Sequence, residues 1–164
     1  MAETVAELLQ GYSSGERDFS NSQLAEADLA GADLSGIDFG GAVLKQAKLA
    51  AVNLERAYLS GADLSQADLR GANLRLATLE KAQLQGSQLQ GANLRGTNLV
   101  EADLSGADLS QADVAGANLT RANLKGTNLT QCKLKLANLR EAAYDETTHL
   151  DGNISAPELG MLRA

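Results

Sequence analysis

From Phe19 to Leu139 every fifth residue is apolar, and no insertion or deletion breaks the phase. Of these 25 positions 22 are Leu, two are Phe and one is Val114. The residue two before this centre is small, Ala in 17 of 25 repeats, with Ser22, Ser87, Thr97, Thr127, Cys132, Ile37, Val52 and Arg17 as the exceptions. The residue just before the centre is Asp or Asn in 17 of 25, and the second residue after it is Gly in 11 of 25. The consensus is Ala-Asp/Asn-Leu-x-x, as in Ala62-Asp63-Leu64.

A period of five excludes the two regular structures in their ordinary form. On an α-helix of period 3.6 the stripe drifts by ~140° per repeat and smears around the axis. On a straight strand of period 2 an odd spacing throws successive leucines onto opposite faces. The chain must therefore turn within every repeat. The small residue and the centre point inward, the Asp or Asn between them points outward, and the last two residues form a corner where Gly is favoured. A chain that turns the same way every five residues coils, and the centres of successive coils stack at the ~4.8 Å strand spacing.

These residues resemble the pentapeptide-repeat family, over residues 17–141 without a gap. The resemblance implies an all-β solenoid, a right-handed quadrilateral parallel β-helix with four repeats per coil. Twenty-five repeats then make about six coils, a stack roughly 30 Å long. Leucine-rich repeats and hexapeptide helices fail on period. The expected organisation is an N-terminal helical cap at 1–16, the repeat β-helix at 17–141, and a capping, irregular segment at 142–164.

The ends of a solenoid expose its core unless something covers them. Residues 3–10 read as a short helix, with Thr4 as its cap, Glu7 three residues on, and Val5, Leu8, Leu9 and Tyr12 as its apolar residues. The opening from Leu8 to Phe19 is similar to that of cyanobacterial-type members. Beyond Leu139, Ala142, Ala143 and Tyr144 keep the phase and 145–164 do not repeat. Tyr144 to Thr148 and Gly160-Met161 resemble the family's closing segment, but Leu150-Asp151 stands where Phe-Pro is usual. Ile154, Leu159, Met161 and Leu162 are expected to cover the last coil; the alternative is a homodimer through this end.

Chemistry finds little footing. One cysteine, Cys132, permits no internal disulfide, and one histidine, His149, permits no multi-histidine metal site. Cys132 holds an inward position and is expected to be a buried, inert thiol. The recurring Asp and Asn residues lack the Gly-Gly-x-Gly-x-Asp spacing of a calcium solenoid and are expected to satisfy backbone groups at the corners. There is no phosphate-binding loop motif. The expectation is a non-enzyme with no catalytic residues, no metal and no cofactor.

Function must then lie on the surface. The net charge of −7 argues against nucleic acid or an anionic membrane as partner. The acidic N-terminus lacks the character of a secretory signal, and no apolar run approaches the ~18 residues of a membrane span, so a cytoplasmic location is expected. With four repeats per coil, the side centred on Leu34, Leu54, Leu74, Leu94, Val114 and Leu134 carries a balance of +2, the side centred on Phe19, Phe39, Leu59, Leu79, Leu99, Leu119 and Leu139 −2, and the other two −1 each. The family's quinolone-resistance members act as DNA mimics on type II topoisomerases such as gyrase. That reading needs a continuous acidic face, which this chain lacks. The preferred reading is a rigid scaffold or regulator that presents a flat face to a protein partner of unknown identity, with Arg56, Arg75, Leu76, Arg95 and Tyr58 as contact residues. A third reading, with no specific partner, stays open.

Overall fold

The computed structural model describes residues 4–164. Parallel bridges join residues 20 apart, from Asp18 with Asp38 up to Asn118 with Asn138 and Asn123 with Ala143. Twenty residues are four repeats, so each turn of the chain has four sides. The bridging residue is always the one just before the centre.

The repeat around Leu74 shows how five residues satisfy their own backbone. Ala72 N–H closes a turn onto Leu69 O at 3.0 Å. Asn73 N–H donates to Val52 O on the preceding coil at 2.9 Å, and Leu74 N–H donates to Asn93 O on the following coil at 2.8 Å. Arg75 N–H donates to the side-chain Oδ1 of Asn73 at 3.3 Å. Leu76 N–H donates to Arg95 O at 3.0 Å. No donor is orphaned, which is the condition for a chain that never forms a long strand.

The corner explains the Gly-rich column. In all 25 repeats the residue two past the centre has positive φ, between 55° and 69°. Fourteen of these residues are not glycine. None of them is Val, Ile or Thr, the side chains that suit the left-handed region least.

The centres and the small residues two before them form the core. Leu34, Leu54, Leu74 and their counterparts are buried, Leu134 alone being half-buried, with Ala62, Ala72 and Ala82 between them. Thr97 and Thr127 also point inward and remain satisfied, each hydroxyl donating at 2.8 Å to a carbonyl of the coil below, Leu74 O and Leu104 O.

The helix α1 runs Val5–Ser13. It is shifted from the expected span of residues 3–10: residue 3 lies outside the described residues, and the helix continues through Gly11 to a cap at Ser14, just before Gly15 turns the chain at φ 100°. The capping box is present, with Glu7 N–H on Thr4 Oγ1 at 3.2 Å and Thr4 N–H on Glu7 Oε2 at 2.9 Å. Leu8 is fully buried, Val5 and Tyr12 pack on the core, and the Tyr12 hydroxyl donates to Ser35 O at 2.8 Å. The extension to Tyr12 thus gives a first-coil carbonyl its donor.

At the other end, Asp145 to Thr148 add one residue to the phase, and His149 pairs with Asn128, 21 residues away. Strand β1 (Ala143–Tyr144) lies parallel to β2 (Leu162–Arg163). Between them Pro157–Leu159 forms a short 3-10 turn. Ala156 and Met161 are buried, and Ile154 and Leu159 half-buried. Leu162, expected to cover the coil, instead stays 57% exposed, because β2 aligns edge to edge with β1 rather than across the core.

Candidate functional site

The outward polar column is committed to the fold. All 17 Asp and Asn residues before a centre accept, through the side chain, the N–H two residues on; Asp63 with Ser65 at 2.9 Å and Asp108 with Ser110 at 2.9 Å are examples. The corner N–H is thereby capped by an Asx turn. Between coils the same side chains form ladders: Asn53 donates to Asp33 at 2.8 Å, Asn73 to Asn53 at 2.9 Å, and Asn93 to Asn73 at 3.2 Å. No group of His, Cys, Asp or Glu among the described residues could hold a metal ion.

Cys132 is half-buried rather than fully so, because its coil is the last complete one. Its thiol donates to Leu109 O at 2.8 Å, and burial pushes its pKa up to about 12. His149 serves through its backbone, donating to Thr127 O and accepting from Leu129 N–H.

The surface residues named from the sequence fall into two groups. Arg75 and Arg95 stand one coil apart, but each is engaged. Arg75 Nη1 lies 2.6 Å from Glu55 Oε1, and Arg95 Nη1 lies 3.4 Å from Asp113 Oδ2. Lys133 Nζ approaches the same Asp113 oxygen at 3.6 Å. Burial pushes the Asp113 pKa up, yet the Ala115 N–H, Arg95 and Lys133 outweigh it and hold the carboxyl below its usual value. Exposed pairs of this kind contribute little stability, on the order of 0–1 kcal/mol.

Arg56 differs. Among the described residues it makes no ion pair, and it borders a shallow depression with Ser35, Gly36, Asn53 and Glu55. Tyr58, two residues on and around the corner, is 58% exposed between Asp38 and Thr78 in its column. Leu76 is 42% exposed and leans over Gly96, where a Cβ would meet its Cδ2 at 2.9 Å. Arg56, Arg75, Leu76 and Arg95 lie on one side and its corner and Tyr58 on the adjacent side; Arg56, Tyr58 and Leu76 are unengaged by charge.

A feature unnoticed in the sequence is a ladder of alternating charge at another corner. Lys81, Glu101, Arg121 and Glu141 succeed one another every 20 residues. Lys81 lies 3.8 Å from Glu101, and Arg121 lies 4.0 Å from Glu101 and 2.8 Å from Glu141. The signal was available once the turn length of 20 was known. The four charges sum to zero along this corner.

A family model described as pentapeptide repeats matches in eight copies, over residues 18–41, 37–75, 57–96, 77–114 and 102–140. Among solved structures the chain is similar to HetL, a pentapeptide repeat protein involved in heterocyst differentiation regulation from the cyanobacterium Nostoc. The identity is 34%, the TM-score 0.75, and the match covers 90% of this chain and 67% of that one. It is also similar to a pentapeptide repeat protein from the Arabidopsis thaliana thylakoid lumen, at 36% identity and TM-score 0.55, covering 58% of this chain and 67% of that one. A plasmid-mediated fluoroquinolone resistance protein, QnrB1, matches at 20% identity and TM-score 0.43, over 90% of this chain and 84% of that one. Among curated proteins none matches.

Proposed function

Because this chain belongs to the pentapeptide-repeat family, we propose that it is a non-enzymatic protein-binding scaffold or regulator that presents the Arg56 side of a rigid coil to a protein partner. The observation that carries this reading is the pairing state of the side. Glu55 and Asp113 engage Arg75, Arg95 and Lys133, while Arg56 has no carboxylate partner among the described residues and stands near the exposed Tyr58. An unpaired guanidinium with an exposed aromatic and Leu76 nearby is the composition of a protein contact surface. The similarity to HetL, whose stated role is regulatory, supports the same class.

The proposed architecture has residues 17–141 as about six four-sided, right-handed coils, with the segment before residue 17 closing one end and residues 142–164 the other. The proposed location is the cytoplasm, which cell fractionation tests. No helix among the described residues is long and apolar enough to cross a membrane.

Tagged protein and an Arg56→Glu/Tyr58→Ala variant, incubated side by side with lysate of the source cell, test the function. Near-stoichiometric recovery of one protein, lost in the variant, supports the reading. Equal recovery by both proteins removes Arg56 and Tyr58 from the contact. Recovery of topoisomerase subunits, with salt-sensitive inhibition of supercoiling, favours the DNA-mimic alternative instead.

A further inference from the structure

The last coil is closed on three sides and open on the fourth. On the first side Leu124 N–H finds Ala143 O, on the second Leu129 N–H finds His149 O and Gln131 N–H the Asp151 carboxylate, and on the last Glu141 N–H finds Gly160 O. The side between them, Cys132 to Leu136, receives nothing comparable. One coil below, Val114 N–H donates to Lys133 O at 3.2 Å and Gly116 N–H to Lys135 O at 2.9 Å. The equivalent N–H groups of Leu134 and Leu136 have no partner among the described residues.

The side chains give way at the same place. Val114, Ala112 and Ala117 are buried, whereas Leu134, Cys132 and Ala137 directly above them are half-buried. Leu136 is 84% exposed, the most exposed large apolar side chain among the described residues. Unpaired donors beside an uncovered apolar row are a template for another strand.

The charges specify what kind. On this side the outward residues flanking the centre are Asp33 and Ser35, Asn53 and Glu55, Asn73 and Arg75, Asn93 and Arg95, Asp113 and Ala115, and finally Lys133 and Lys135. Only the open rung has a cation on both flanks. Lys133 is 72% exposed, and Lys135 makes no ion pair among the described residues.

We infer that the open rung Lys133-Leu134-Lys135-Leu136 is a docking edge for an extended, acidic segment of a partner protein, of the alternating form acidic–apolar–acidic. The segment lies parallel to the rung. Its carbonyls accept the Leu134 and Leu136 N–H groups, its apolar side chain stacks on Leu134, and its two carboxylates face Lys133 and Lys135. Main-chain bonds supply the attachment and the alternate side chains the selectivity. A second copy of this chain is the poorer occupant. A two-fold contact would set lysines against lysines and donors against donors. A head-to-tail contact would meet α1, whose Tyr12 already occupies Ser35 O.

The edge is the end rung of the same side that carries Arg56, four coils further along, and its test is independent of that reading. Isotope-labelled protein is titrated with a short acetylated and amidated peptide that has Glu-Leu-Glu at the centre of a Gly-Ser background, and with its Lys-Leu-Lys counterpart. The expected result is amide shifts confined to residues 132–137 and a preference for Glu-Leu-Glu of about tenfold or more. That preference inverts in a Lys133→Glu/Lys135→Glu variant and is unaffected by Arg56→Glu. In the free protein the amides of Leu134 and Leu136 exchange with solvent far faster than those of Val114 and Gly116. Exchange as slow as at Val114, shifts centred elsewhere, no shift at millimolar peptide, or a dimer in which these amides are protected would each overturn the inference.

Discussion

The side-chain Nδ2 of Asn73 donates to Oδ1 of Asn53, one coil below, at 2.9 Å, while that same Asn53 oxygen caps the N–H of Glu55 at 3.2 Å. A single carboxamide thus fixes a corner within its repeat and ties that repeat to the next coil. Replacing Asn73 by Ala removes the cap on Arg75 N–H and both rungs of the ladder. The expected loss is about 1–3 kcal/mol, three such hydrogen bonds at a net worth of roughly 0.5–1 kcal/mol each. Urea unfolding of Asn73→Ala measures it, and an unchanged midpoint would show the ladder to be incidental.

Gly61 isolates the backbone term at the corner. Its φ is 66° and a Cβ there would touch nothing within 4 Å. Gly61→Ala should therefore destabilise by about 1 kcal/mol, and Gly61→Val by more, through the left-handed conformation alone. Thermal melts of the pair against the parent check the order. Equal melting of the Ala and Val variants would contradict it.

Leu74 is fully buried in mid-stack. Leu74→Ala should cost about 2–5 kcal/mol. Leu74→Asp places a charge between dry neighbours and should unfold or fray the stack. Circular dichroism and hydrogen exchange across neighbouring coils distinguish the two outcomes. A Leu74→Asp protein that melts like the parent would refute the inward assignment of the centres.

Several carboxylates are held below their usual range. Asp68 is lowered chiefly by its hydrogen bond from Arg70, Glu141 by that from Arg121, and Asp145 by that from Thr147. The unfolded chain takes up protons at these groups before the folded one does. Their contribution is present above the ordinary carboxylate range of about 4 and falls away as the pH drops through the lowered folded values. Melting temperature should be flat from neutral to mildly acidic pH and decline below about 4. A rise on acidification would reverse the sign.

With its thiol near pKa 12, Cys132 should react slowly with a disulfide reagent at mildly alkaline pH and rapidly once urea unfolds the coil. Fast labelling of the native protein would mean that the last coil opens readily.

The stacked core was legible in the sequence because Leu74 and its counterparts each repeat the same environment, and one residue predicts the next. The Asx role of Asn53 and Asp63 followed from short polar side chains beside a corner. The pairing of Arg75 with Glu55 was not seen, since it depends on which residues meet across 20 positions and on side-chain reach. The open edge at Leu134 was out of reach for a different reason. Whether it is covered depends on the path of residues 145–164, where the repeat has ended and one extra residue near Thr147 resets the phase.

The separation of core from surface has an evolutionary consequence. Every side buries the same Ala and Leu pattern, so duplication or loss of a single five-residue repeat leaves the stacked interior intact. It does, however, turn everything downstream by a quarter revolution against what lies upstream. Arg75, Glu55 and the ladder from Lys81 to Glu141 depend on neighbours 20 residues away. Gains and losses in whole sets of four repeats preserve such columns, and any other number reshuffles them. A lineage of such chains can therefore lengthen without changing its binding surface, or rewrite that surface in one step without disturbing its fold.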